Sequence, residues 1–210
     1  MSSKEELVGE IVEGELTMFQ SVPNVGGKAL CQEDPKTFRI MRSSQFMSWS
    51  DEILESYLDD LREAIKVGRN LLTEKYAHMM ESTSPSEYRK IRHMLPKLDP
   101  AVPSLIESIV DMMLGWEYEV AQKYPHIISR GRPLRRSDER PFVASVETYL
   151  RGELATYSQK TLRLYRDHLL ELKSSNRNAS ELILANMVKQ YGYVSLEDAD
   201  QRIGEKVDNR

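Results

Sequence analysis

The chain has 210 residues, 40% of them hydrophobic and 30% charged, which excludes a disordered chain and allows one domain with a sizeable core. Its 29 basic and 33 acidic residues leave a formal net charge of -4, which argues against general electrostatic attraction to nucleic acid.

The chain opens on Ser3 and Glu6, spaced as a capping box. This start is acidic and helix-capping, unlike a signal peptide. Leu7, Val8, Ile11, Val12, Leu16 and Phe19 follow at helical spacing. Pro23, Gly26 and Gly27 predict a loop over 20–33. Asp34-Pro35 starts a short helix that carries Phe38, Met41, Gln45 and Trp49 on one face. Ser50-Asp51-Glu52 begins a long helix predicted to reach about Glu81, with Gly68 mid-helix, where a close helix contact or a bound group would explain it. Ser84-Pro85-Ser86-Glu87 has the pattern of a second capping box, ahead of a short helix. Another helix is expected from Pro103 to about Lys123, then an arginine-rich loop over 129–140. A long helix is predicted from about Phe142 to Leu172, then short helices over 180–191 and 195–207 and a tail from about 208. The expected fold class is all-α: an irregular helical bundle built on two or three long helices plus several short ones, forming a single helical domain over 1–210.

Cys31 is the only cysteine, so no intrachain disulfide forms and zinc has no cysteine cluster; a reducing cytoplasm is the expected compartment. No apolar run approaches the ~18 residues of a membrane span, so no membrane association is expected. The four histidines make no Glu-x-x-His pair for a di-iron site, and no phosphate loop or Gly-x-Gly-x-x-Gly occurs. No metal is expected, and no cofactor is assigned.

The informative feature is charge on faces that should be core. With ~100° of turn per residue, Lys75 falls about 40° from its stripe centre, between Leu72 and Met79. Glu117 and His168 fall near the centres of their stripes, and Glu147 and Glu153 flank theirs by about 60°. Arg42 and Gln45 share the face of Phe38 and Trp49. Inward charges must pair or meet a ligand, because an unpaired buried charge is costly. The same residues are consistent with mutual pairing or with a polar pocket between helices. Arg69 and Glu74 point to different faces of one long helix and are not expected to pair. Arg130 to Arg136, with Arg140, is either a solvated loop or an anion clamp.

Several segments carry a resemblance. They include Asn24-Val25-Gly26-Gly27, Cys31-Gln32, Met41-Arg42, Ser44-Gln45-Phe46 and Gly68-Arg69-Asn70 with Glu74-Lys75-Tyr76. Further along come Gly131-Arg132-Pro133, the run from Glu147 to Leu154, and Tyr191-Gly192. Together they resemble the uncharacterised bacterial family catalogued as domain of unknown function 4125, over nearly the whole chain. The resemblance implies one unit and brings no established activity.

The leading expectation is a small anionic ligand, bearing phosphate or carboxylate, held by Arg42, Gln45, Arg69, Lys75 and Arg132. Glu147 and Glu153 would orient it or exchange protons, because desolvation raises a carboxylate's pKa. The alternative is a non-catalytic protein–protein interaction module, with Met79-Met80 and Met112-Met113 as an adaptable surface. A HEPN-like helical ribonuclease using Arg163 and His168 is the third reading; it needs a bend to bring the two together. A homodimer is compatible with any of these.

Overall fold

The computed structural model describes residues 3–24, 30–129, 131–140 and 143–208. They form eleven α-helices: α1 (Lys4–Gln20), α2 (Pro35–Phe46), α3 (Asp51–Lys66), α4 (Leu71–Thr83), α5 (Pro85–Ile91), α6 (Val102–Lys123), α7 (Pro125–Ile128), α8 (Val146–Leu154), α9 (Gln159–Ser174), α10 (Ala179–Gln190) and α11 (Leu196–Asp208). Among the described residues there is no β-strand; one isolated bridge pairs Arg140 with Val143. The protein is all-α, as its periodicity predicts. None of these helices is long and apolar enough to cross a membrane.

Local chemistry explains the helix ends. Ser3 and Glu6 form the expected reciprocal capping box on α1. Asp34, Asn70, Ser145, Ser158 and Asn178 each cap a helix by accepting an amide N–H near its start. The box expected at Ser84 is absent, because the Ser84 side chain makes no cap bond.

Both long helices predicted from the stripes are broken. Asp51–Glu81 divides at Gly68, whose φ of +73° is open to glycine and strained for other residues. The Gly68 N–H donates to Ile65 O and the Arg69 N–H to Ala64 O, a Schellman-type stop. Asn70 then starts α4 and also donates to Met18 O, tying the new helix to the end of α1. Nothing lies within 4 Å of where a Gly68 Cβ would point, so the glycine serves the turn and not a close contact. The second predicted helix divides between Leu154 and Gln159, where Ser158 caps α9.

The main core is built by α1, α3, α6 and α9, with further residues from α2, α4 and α8, and Ile11, Leu54, Ile109, Leu162 and Leu169 are among its most enclosed residues. A smaller cluster of Val120, Tyr124, Leu184, Val188, Leu196 and Ala199 joins α6 to α10 and α11. Met79 and Met113 are buried in the interior, and Met80 and Met112 are half-buried.

Candidate functional site

Four of the predicted site residues, Arg42, Gln45, Lys75 and Glu153, come together, and they meet each other. Arg42 on α2 is buried and holds the Glu15 carboxylate of α1 with two short bonds, Nε and Nη2 each at 2.6 Å. Its Nη1 reaches Gln45 Oε1 at 2.7 Å and both Glu153 oxygens at 3.0 and 3.1 Å. Gln45 Nε2 donates to Glu153 Oε1 at 2.9 Å, and Lys75 Nζ of α4 donates to Glu153 Oε2 at 2.6 Å. Tyr57 Oη donates to Glu15 and Tyr157 Oη to Glu153, each at 2.6 Å. Two cations therefore face two carboxylates across five helices, with the remaining acceptor sites taken by an amide and two phenols. Such full satisfaction is what an enclosed charge cluster requires.

Aromatic rings pack against this network. Arg42 Cζ lies 4.6 Å from the Phe46 ring centre, and the Tyr57 and Tyr157 rings are 4.7 Å apart. Trp49 packs edge-on to Phe46, Tyr57 and Tyr157. Burial alone would raise the pKa of Glu153, but the charges of Arg42 and Lys75 outweigh it and hold the carboxyl well below its ordinary value. The rise expected for a desolvated carboxylate is reversed by these two cations. Tyr57 and Tyr157 are pushed far up, by burial first and by their carboxylate neighbours second.

The network has an outer end. Tyr149, on the same face of α8 as Glu153 (about 40° around the helix), is half-buried. Lys75 Nζ lies 5.5 Å from its ring centre and Arg132 Cζ 4.1 Å from it. Arg132 is exposed and donates to Ala144 O at 3.3 Å; among the described residues no carboxylate lies within ion-pair reach of it. Tyr76 and Phe19 continue the aromatic row inward to Phe38.

The other predicted residues lie elsewhere. Arg69 is exposed and pairs with Glu74 through two bonds of 2.8 and 2.6 Å. That pair, unexpected on one continuous helix, forms because the stop at Gly68 places Arg69 beyond the helix axis. Glu147 is half-buried on the far side of α8, accepting from Arg151 Nε and from the Arg136 backbone N–H. Glu117 is half-buried near Ser180, outside the network, and burial raises its pKa. His168 is half-buried with Nε2 3.0 Å from Ser48 O, and Arg163 is exposed on the same unbroken helix α9. Arg130, residues 25–29 and the Cys31 side chain fall outside the described residues.

Three network members escaped the sequence reading. Glu15 sits four residues after Ile11 and seven after Val8, squarely on the α1 stripe, so its inward direction was available. Tyr57 and Tyr157 fall on the apolar stripes of their segments by spacing, but stripe periodicity says nothing about where a phenol points.

The sequence segments that resemble a family have structural roles here. Gln32 is buried and donates to Phe19 O and Val22 O at the end of α1. Pro133 O and Leu134 O accept the first amides of α8, which docks the arginine-rich loop on that helix. Gly152 faces α4 so closely that an added Cβ would sit 2.8 Å from Lys75 O. A match to the family described as "Protein of unknown function (DUF4125)" spans residues 5–201. The chain belongs to this family. No curated protein and no solved structure matches it. For this DUF4125 chain, among the described residues, no group of three or more His, Cys, Asp or Glu is arranged to hold a metal ion.

Proposed function

We propose that this protein binds a small anionic ligand, bearing a phosphate or carboxylate group, at the outer end of the buried charge network. The observation that carries this reading is the placement of two cations, Lys75 and Arg132, against one half-buried ring, Tyr149. Arg42, Lys75 and Arg132 set against Glu15 and Glu153 leave one positive charge in excess, and it resides on the exposed member. An oxyanion between Lys75 and Arg132 neutralises that excess, with the Tyr149 ring holding the two cations beside it.

Glu153, Arg42 and Gln45 act behind this surface by fixing where the Lys75 ammonium stands. Glu153 is held ionised by its two cations, so at neutral pH it has no proton to give and little tendency to accept one. Binding is therefore the better supported role, and acid–base catalysis through Glu153 is disfavoured. Glu147 and Arg69, engaged elsewhere, are left out of the proposed site.

The test is a calorimetric titration of the full chain with pyrophosphate and with citrate. Saturable binding by one of them is expected, and Arg132→Gln is expected to weaken it roughly tenfold or more, as loss of a charged hydrogen-bond donor does. Because Arg132 is exposed, its replacement should leave the thermal midpoint nearly unchanged. Absence of saturation by both probes, or unchanged affinity in Arg132→Gln, refutes the reading.

A further inference from the structure

α8 presents a second polar face, away from Tyr149. Arg151 lies about 160° around the helix from Tyr149 and opens onto a recess of about 430 Å³. The recess is bounded by α4, α5, α6 and α8 and by the arginine-rich loop, which contributes Arg136. Its size is that of a pocket for a small organic molecule. It shares no residue with the Lys75–Tyr149–Arg132 surface.

We propose that this recess binds a small organic monocarboxylate, with Arg136 as its anchor. The Arg136 Nε is shielded from solvent and has no hydrogen-bond partner among the described residues. The Arg136 guanidinium borders the recess and has no ion pair among the described residues, so a bound oxyanion would supply the missing counter-charge. The planar fork suits a carboxylate, which can accept from the two terminal nitrogens together.

The neighbouring charges decide the ligand's charge. Arg151 is already committed, holding Glu107 at 2.5 and 2.9 Å and Glu147 at 3.1 Å. Glu81 and Glu107 also border the recess. The exposed Arg92 also borders the recess and offsets Glu81, which leaves Arg136 as the one uncommitted guanidinium, so a single negative charge fits better than two. His78 adds polarity without charge, because burial holds its pKa below the ordinary histidine value. Leu95, Leu98 and Ile106 supply an apolar wall for the ligand's hydrocarbon part.

The experiment titrates the full chain with butyrate, hexanoate and octanoate, followed by calorimetry and by thermal midpoint. Saturable one-to-one binding is expected, tightening by about threefold to fourfold per added CH₂ as it reaches the apolar wall. Arg136→Gln should weaken octanoate by roughly tenfold to a hundredfold. Arg135→Gln, at an exposed neighbour, and Arg132→Gln, on the other surface, should bind octanoate as the parent does. Inorganic phosphate and 1-octanol should each bind more weakly than octanoate. No saturable carboxylate binding, phosphate binding more tightly than octanoate, or full affinity in Arg136→Gln each overturns the proposal. Arg136→Lys, which keeps the charge and loses the fork, serves if the glutamine variant fails to fold; unchanged octanoate affinity there overturns it as well.

Discussion

Glu153 is the residue on which the interior turns. It accepts from Arg42, Gln45, Lys75 and Tyr157, and removing its charge leaves the buried Lys75 without a counter-ion. Glu153→Gln is therefore expected to cost about 3–5 kcal/mol, the usual penalty for stranding buried charges. Chemical denaturation of the variant checks this. Lys75→Met removes the ammonium that Glu153 holds, so the double variant should lose less than the sum of the single losses. Additive losses would show that Lys75 and Glu153 are not coupled in solution. Arg42 keeps Glu15 in either variant, so the α1–α2 contact should persist.

Among the elements, the crossing of α4 and α8 governs the candidate ligand surface. Lys75 stands on one helix, and Tyr149 and Glu153 stand on the other. Gly152 permits their approach: an added Cβ would meet Met79 Cγ at 2.6 Å and the Lys75 carbonyl at 2.8 Å. Methionine can swing aside, but a helix carbonyl cannot move without the helix. Gly152→Ala is expected to cost about 1–3 kcal/mol by overpacking, in spite of alanine's better helix propensity. The thermal midpoint reads the stability loss. Because the helices must separate, anion affinity at Lys75 and Arg132 should fall in the same variant. A variant as stable as the parent would mean that the crossing is looser than described.

At the scale of the whole molecule, the carboxylates whose pKa the fold depresses set the response to acid. Glu153 lies well below the ordinary 4.5 of a glutamate. At Glu139, burial pushes upward, but the hydroxyls of Thr148, Ser145 and Ser82 and the Ser145 amide outweigh it and hold the pKa at about 2. A carboxylate depressed in the folded state binds its proton more readily when unfolded, so it stabilises the fold above its unfolded pKa. That stability is lost as pH falls through the folded value. Unfolding free energy should therefore decline from about pH 4.5 towards about pH 2, measured by urea denaturation across that range. Glu139→Gln should be less stable than the parent at pH 7, with the difference narrowing as pH falls into that window. A gap that stays constant down to pH 2 would contradict the assignment.

The amino-acid order was enough to make the chain helical, because stripe spacing and capping residues act within a few residues of each other. It was also enough to point Arg42, Gln45, Lys75 and Glu153 inward, since a side chain's direction follows from 100° steps. It could not divide the two long stripes, because Gly68 and Ser158 sit on patterns that a continuous helix also satisfies. Whether the inward charges meet a guest or each other depends on contacts between residues as far apart as 42 and 153. Those contacts exist only once five helices have packed, and that packing left Glu147 and Arg69 outside the network and brought Glu15 into it.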